Sequence, residues 1–441
     1  MKRARAWSRR SQAVVYTAAA AVALALLHAI LNIGNISVGG WGVAIVYAVT
    51  IVVGELWRVN VLGTRDFTPI ALAASLAMPM TTSLPGNPET GYSAGFVVVV
   101  VALATFVGHL VRRWMSVGAF VLDQIASRVL VVTVAAILFL EVPLDGRPLA
   151  VLVHEWHDMM WMAALAMLAV ALVAMGLQLL LMAMRHSVST HALLWQSLVD
   201  EVGAVGPLAL ATTSSATVIA LAVGALGQVA IPLFLAPLLL LQLAVSRQSL
   251  VRDAQRQTIR SLSRLTDQGG FTTVGHGDRV ATLSLAIGRD LGLAERDLVD
   301  LEYSALLHDL GQVSLRRPIP GGATTAISPL DQRRIAHTGA SILARTAELS
   351  RLSMVVSGQA TPYRHGREAQ DLALACRILK VSNAFDDLTG GHVKRPAAAQ
   401  ALERIRLNLG YEYDPLVVRS LCRVLVRDGR VTPAEVVELD V

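Results

Sequence analysis

The chain has 441 residues, of which 54% are hydrophobic and 16% are charged, and its formal net charge is +6. The charge is unevenly distributed, because residues 1–246 hold only 12 of the 38 Lys and Arg residues and 10 of the 32 Asp and Glu residues. This imbalance predicts a membrane domain followed by a soluble domain. The sequence has no basic stripe with interleaved aromatic residues, so nucleic acid is not an expected partner. Its two cysteines are too few for a disulfide framework.

Apolar runs in the first part of the chain predict about eight helices that cross a lipid bilayer, since a span needs roughly 20 apolar residues. These runs cover residues 12–33, 37–56, 66–83, 92–111, 117–140, 159–184, 204–224 and 228–246. The basic start of the chain precedes such a run without a clear cleavage site, which indicates a first anchor rather than a secretory signal. We therefore predict a polytopic transmembrane domain over residues 1–246, with the lipid bilayer as its first partner.

Basic residues indicate how these spans are oriented. With eight spans, the basic tail at residues 1–10, Arg112, Arg185 and the chain from Arg247 onward share one side of the membrane. The opposite loops contain one basic residue, Arg147. Because short loops rich in Lys and Arg stay in the cytoplasm, we predict that both termini are cytoplasmic.

Charged and polar side chains are sparse inside the predicted spans. Asp123, Gln124 and Arg128, near the start of the fifth span, are unfavourable in lipid, so we expect them to face protein as a sensing or structural group. A transporter is a remote third hypothesis for the function. Against it, the sequence shows no pair of broken helices in matching halves of the membrane domain.

The remaining residues predict an all-α soluble part. Arginines every four or five positions from Arg247 to Arg264, beside a partial apolar stripe, predict a juxtamembrane connector helix over residues 247–266. Such a helix can pair with a second copy of the chain, so a homodimer is a further hypothesis. Beyond it, apolar residues recur at spacings of three and four without sustained alternation, which predicts an all-α domain over residues 267–441.

Four polar motifs in this domain indicate where chemistry can occur. Adjacent His308 and Asp309 end an apolar helix and are followed by Gly311, so an imidazole and a carboxylate can meet one metal ion. A single His-Asp pair is weak as a signal. Three further motifs accompany it in order, at residues 275–280, 335–343 and 377–389, and the combination is much more specific.

Together these motifs resemble the HD superfamily of metal-dependent phosphohydrolases, and in particular its HD-GYP branch, which cleaves cyclic di-GMP. The resemblance covers about residues 262–425. It implies a bacterial signalling protein of the cytoplasmic membrane, with a multi-pass sensory domain joined to the HD-type domain. It also implies a divalent transition metal (Fe, Mn or Zn) that activates water against a phosphodiester, for example in a cyclic dinucleotide.

The resemblance also assigns roles to individual residues. His308 and Asp309 match the catalytic His-Asp pair, and together with His276 they match the ligands of one metal ion. His337 matches a ligand of a second metal ion. Asp267 lies near the position where some members of the family place an additional carboxylate ligand.

Several positions depart from the family pattern. Gln312 replaces a Lys that contacts the substrate phosphate, residues 357–358 replace paired histidines, and Asn383 replaces a late Asp ligand. The Gly-Tyr-Pro loop has no counterpart at residues 360–370. These losses predict one metal ion rather than two, held by three firm ligands and by the Asn383 carbonyl. Arg364 lies in a charged loop that either is solvated or contacts a phosphate.

Two hypotheses for the function therefore stay open. In the first, the chain is a membrane-tethered signalling protein whose degenerate HD-GYP-like domain acts by ligand binding or by conformational change. In the second, it is an active phosphodiesterase or phosphohydrolase with one metal ion, acting on a cyclic dinucleotide or another phosphoester.

Overall fold

The protein is described here from a computed structural model, which is almost wholly helical. It describes residues 9–32, 38–61, 65–82, 91–115, 121–144, 146–156, 158–190, 194–319, 322–364, 372–391 and 395–438. Residues 1–8 of the basic tail, on which the predicted orientation partly rests, lie outside these ranges. The chain divides into two compact units, the first covering residues 1–189 and 193–251 and the second covering residues 190–192 and 252–441.

The first unit is a bundle of apolar helices. Its described helices are α1 (Arg9–Asn32), α2 (Val38–Leu56), α3 (Pro69–Met80), α4 (Ala94–Trp114), α5 (Leu122–Ala136), α6 (Leu149–Glu155), α7 (Met160–Thr190), α8 (Leu194–Leu226) and the first part of α9 (Ala230–Gln268). Two short antiparallel hairpins join some of them, β1 (Val59–Val61) with β2 (Arg65–Phe67) and β3 (Pro143–Leu144) with β4 (Arg147–Pro148).

Five segments of the described chain are long and apolar enough to cross a membrane, which agrees with a membrane protein. They are residues 12–32, 94–114, 122–141, 160–187 and 194–268, the last of which contains both α8 and α9. The predicted span at 66–83 differs, because its helix α3 has only 12 residues and a bilayer core of about 30 Å needs roughly 20. All 12 residues of α3 are buried, so this run is apolar because it forms the centre of the bundle.

Glycines allow the helices around α3 to approach closely. A Cβ atom on Gly54 of α2 would lie 2.5 Å from the backbone nitrogen of Ala71 in α3. A Cβ atom on Gly108 of α4 would lie 2.7 Å from the Cβ of Glu55. Small residues at helix contacts are typical of membrane bundles, since they let the backbones pack against each other. Here they also bring Glu55 into the interior.

Glu55 is the centre of a buried ionic network. Its two carboxylate oxygens accept hydrogen bonds from Arg58 Nη2 at 3.0 Å and from Arg128 Nη2 at 3.2 Å. Arg58 Nη2 also lies 2.7 Å from His109 Nε2, and Arg58 Nη1 donates to Gln124. One carboxylate therefore faces two guanidinium groups in an interior where unpaired charge is strongly unfavourable.

We expect Glu55→Gln to destabilise the protein by about 3–5 kcal/mol, because it leaves the buried guanidinium of Arg128 without a carboxylate and that of Arg58 with only Asp66, 3.8 Å away. Thermal denaturation of the purified full chain in detergent measures this effect. The control is Glu155→Gln, which removes an ion pair with Arg147 whose side chains are 48% and 60% exposed. That change should stay within about 1 kcal/mol. Equal effects of the two substitutions would show that the Glu55 network does not stabilise the bundle.

The second unit contains the rest of α9 and a set of shorter helices around one apolar core. These helices are α10 (His276–Asp290), α11 (Glu295–Leu307), α12 (Pro329–Ala344), α13 (Ser350–Gly358), α14 (Leu374–Thr389), α15 (Arg395–Arg406), α16 (Pro415–Arg427) and α17 (Pro433–Glu438). Short 3₁₀ turns occur at Leu310–Ser314 and Thr324–Ala326. The connector predicted at 247–266 is not a separate helix, because α9 runs without a break from Ala230 to Gln268. Its residue Ile259 is buried in the core of the second unit.

Candidate metal centre

His276 is the first residue of α10, and the turn before it fixes its position. Gly275 has a φ of 74°, a left-handed conformation that glycine adopts readily. The carboxylate of Asp267 accepts hydrogen bonds from the Gly275 backbone N–H at 2.7 Å and from Thr272 Oγ1 at 2.6 Å. Asp267 therefore holds the turn together through both of its oxygens.

Gly277 lets the start of α10 lie against the end of α11. A Cβ atom at this position would overlap Ser263 Oγ and would lie 3.3 Å from the carbonyl oxygen of Leu306. Any side chain here would require the Ser263 hydroxyl to move, so glycine suits this gap. The close approach brings His276 next to His308, the residue that directly follows α11.

The His-Asp turn is held by a second glycine contact. A Cβ atom on Gly311 would overlap the carbonyl oxygen of Ile335 and would lie 2.8 Å from the nitrogen of Gly339. The turn thus packs directly on the backbone of α12. This contact accounts for the glycine of the motif at 335–343, whose role is in packing.

Four side-chain atoms converge at this point. His276 Nε2 lies 3.2 Å from His308 Nε2 and 3.2 Å from Asp309 Oδ2. His308 Nε2 lies 3.3 Å from Asp309 Oδ2 and 3.2 Å from Asn383 Oδ1. All four side chains are buried. Among the described residues, the two histidines and Asp309 are the group whose spacing suits a metal ion.

Hydrogen bonds on the far side of each ring determine which nitrogen carries the proton. His276 Nδ1 donates to Asp386 Oδ2 at 2.8 Å, and His308 Nδ1 donates to the carbonyl oxygen of Ala305 at 2.7 Å. In the neutral rings both Nε2 atoms therefore present lone pairs to each other and to the two oxygens. Only a proton or a cation between these atoms relieves their repulsion.

The electrostatics of the cluster agree with this requirement. Burial lowers the pKa of His276, but hydrogen bonds and charge from Asp309 and Asp386 outweigh burial and raise the pKa to about 10. Burial raises the pKa of Asp309, but the neighbouring His308 and His276 outweigh it and lower the pKa to about 2. The group therefore keeps a carboxylate and attracts one positive charge, and a metal ion would displace the proton from His276.

The residues fit a metal ion. While the rings of His276 and His308 are neutral, no donor of the described chain meets the buried Asp309 Oδ2 in hydrogen-bonding geometry. Two imidazole nitrogens, this carboxylate oxygen and the amide oxygen of Asn383 form a mixed nitrogen and oxygen ligand set, which suits Fe, Mn or Zn. A second metal ion has no comparable group of ligands among the described residues.

The sequence analysis missed the carboxylate of Asp386, which orients His276. Besides its bond to His276, Asp386 accepts hydrogen bonds from Arg279 Nε at 2.8 Å and from Arg279 Nη2 at 2.9 Å. Burial raises the pKa of Asp386, but these partners outweigh it and keep the pKa low. Carboxylates behind ligating histidines fix the ring and raise its basicity. The signal was present in the motif at 377–389, which contains two adjacent aspartates.

The second of these aspartates, Asp387, orients Asn383 through a threonine. Asn383 Nδ2 donates to Thr324 Oγ1 at 3.0 Å, and Thr324 Oγ1 donates to Asp387 Oδ2 at 3.4 Å. Asp387 also accepts from the Thr325 N–H at 3.1 Å. Its burial raises its pKa to about 6. This chain of bonds turns the carbonyl oxygen of Asn383 toward His308.

Other predicted site residues do not join the cluster. His337 is exposed on α12 and is not part of the group that suits a metal ion, so the structure gives no support to a second-metal role. Asp267 stabilises the turn before His276 and is likewise outside the group. Arg364 is exposed, and its guanidinium lies 5.8 Å from the ring centre of Tyr411. Gln312 is buried beside Asp309, and its Nε2 donates to the carbonyl oxygen of Gly322 at 3.4 Å.

We expect Asp386→Asn to weaken metal binding by about 10–100-fold, because an amide no longer fixes His276 as the carboxylate does. Calorimetric titration of the purified full chain with Mn²⁺ or Zn²⁺ measures the affinity. Asp290→Asn is the matched control, since Asp290 also accepts from an arginine, Arg423 at 2.5 Å, but has no contact with the cluster. A similar loss in both variants would contradict a specific role of Asp386.

Part of this chain is similar to known proteins. Residues 248–417 match the family described as the HD domain. The chain is also similar to the 3'3'-cGAMP-specific phosphodiesterase 3 of Vibrio cholerae, with 27% identity over 177 residues. This alignment covers 38% of the chain and 38% of the relative, so the chain spans well under two thirds of the relative's length. No solved structure shows a significant match.

Proposed function

Since residues 248–417 form an HD domain, we propose that this chain is a membrane-tethered phosphohydrolase that cleaves a phosphodiester of the cyclic dinucleotide class with one metal ion. The convergence of His276 Nε2, His308 Nε2, Asp309 Oδ2 and Asn383 Oδ1 carries this proposal. The similarity to a 3'3'-cGAMP-specific phosphodiesterase supports the substrate class.

The residues of the chain have distinct roles in this proposal. A metal ion at this centre would provide activation of a water molecule for hydrolysis of the phosphodiester. His276, His308 and Asp309 hold that ion, and Asp386 fixes the ring of His276. Lys380 lies three residues before Asn383, on the same face of α14, where its ammonium group can contact a substrate phosphate. This ammonium lies 3.0 Å from Glu412 Oε2 and donates to the carbonyl oxygen of Ala360 at 3.5 Å.

A second candidate function is a signalling module that binds a ligand without cleaving it. The observation that favours it is Asn383, which supplies an oxygen but no charge, so the centre has one carboxylate where the HD-GYP pattern has two. The two functions differ in whether phosphodiester hydrolysis depends on the cluster.

We expect the full chain to hold close to one metal ion and to hydrolyse 3'3'-cGAMP or cyclic di-GMP, and His308→Ala to abolish both properties because it removes a ligand. Elemental mass spectrometry and a chromatographic assay of the nucleotide products measure them. His337→Ala is the control, since this exposed histidine lies outside the cluster. Hydrolysis that survives His308→Ala would contradict the proposal that the metal centre carries out the reaction. Metal binding without hydrolysis would favour the binding module.

We expect Asn383→Asp to tighten metal binding by about tenfold or more, which corresponds to about 1.4 kcal/mol, because a charged ligand replaces a neutral one. The same titration measures this gain. If weak metal binding limits the activity of the wild type, the hydrolysis rate at low metal concentration should increase in Asn383→Asp together with the affinity. If Asn383 does not face the metal, the affinity will stay unchanged or fall.

A further inference from the structure

Two arginines of the first unit, Arg112 and Arg128, have N–H groups without a hydrogen-bond acceptor in the described part of the chain. Arg128 is 6% exposed, and its Nη2 donates to Glu55 and to Thr68. Its Nη1 is buried and has no hydrogen-bond partner among the described residues. A buried guanidinium nitrogen without an acceptor is unfavourable, so this position calls for a further anion.

Arg112 adds unsatisfied donors to the same region. It is half-buried in the last turn of α4, three residues after His109, so both side chains lie on one face of the helix. His109 Nε2 lies 2.7 Å from Arg58 Nη2, which places this face at the Glu55 network. Arg112 Nε and Nη1 are both buried without a partner in the described part of the chain.

Glu55 and Asp66, the carboxylates near Arg112 and Arg128, already engage guanidinium groups. Each oxygen of Glu55 accepts from a different guanidinium, one from Arg58 and the other from Arg128. Asp66 lies 3.8 Å from Arg58 and is about one third exposed. Asp123 lies 3.8 Å from Arg185. The remaining N–H groups of Arg112 and Arg128 therefore need an acceptor that these residues do not supply.

Two exposed tryptophans lie at the helix ends near this region. Trp114 ends α4 and is 85% exposed, and Trp57 follows α2 and is 54% exposed. Tryptophans concentrate at the boundary between the acyl chains and water. Phosphate groups of the bilayer lie at this same level, and basic sites between membrane helices bind anionic headgroups.

We propose that Arg112 and Arg128 form a binding site for the phosphate group of an anionic lipid, seated beside the Glu55 network. A planar guanidinium group can donate two parallel hydrogen bonds to two oxygens of one phosphate, which an ammonium group cannot do. Glu55 and Thr68 hold Arg128 in place, so the site is built before the lipid arrives. This site is independent of the metal centre in the second unit.

The test uses the delipidated full chain in a neutral detergent, with native mass spectrometry to count bound lipid. Phosphatidylglycerol, phosphatidylcholine and inorganic phosphate are added in separate titrations. We expect one phosphatidylglycerol to bind preferentially to the wild type, and Arg112→Gln to weaken this binding at least tenfold. Arg112→Lys should give only partial rescue. Arg113→Gln is the matched control, because it removes the same charge from the exposed neighbouring residue.

The alternative results are distinct. Equal binding by Arg112→Gln and Arg113→Gln would show a general attraction to anionic lipid and would overturn the site. Tight binding of inorganic phosphate that is lost in Arg112→Gln would show that the site binds a soluble anion. That result would overturn the proposal that its ligand is a lipid. Thermal denaturation verifies that Arg112→Gln remains folded, as expected for a residue whose Nε and Nη1 have no partner in the described chain.

Discussion

Mutual repulsion between lone pairs is the constraint on which the second unit depends. The bonds from His276 to Asp386 and from His308 to Ala305 force both Nε2 atoms to face the same point as Asp309. Such an arrangement is stable only with a cation or a proton at its centre. The surrounding fold keeps these groups together, because Gly311 lets the His-Asp turn lie against the backbone of α12 at a distance that any side chain would prevent, and Gly277 lets the start of α10 lie close to the end of α11.

The same centre explains why two functions compete. Asn383 keeps an oxygen at the ligand position but removes its charge, while Thr324 and Asp387 hold its amide in one orientation. A negative charge thus remains nearby, two hydrogen bonds away from the ligand position. Under the proposed function, the strength of metal binding at this centre decides whether the domain cleaves a phosphodiester or only binds its ligand.

In each unit, some buried polar atoms lack a partner of opposite sign in the described part of the chain. In the second unit, acceptor atoms converge and call for a cation. In the first unit, Arg58 and Arg128 share the single carboxylate of Glu55, and donors of Arg112 and Arg128 call for an anion. Each deficit points to a bound group, since a buried charge without a partner is unfavourable in a low-dielectric interior. Buried charged side chains therefore indicate candidate binding sites in both units.

Periodicity and short motifs are local, so the residue pattern was enough to predict the helical class, the change from apolar to charged composition, and His276, His308 and Asp309 as candidate metal ligands. It did not determine that the run at 66–83 is the buried helix α3, since an apolar core and an apolar span have the same composition. It also assigned His337 to a metal that the described structure does not bring within reach. The roles of Asp386, Asp387 and Glu55 emerged only from the tertiary structure, because each of them has a partner 62 to 110 residues away in the chain.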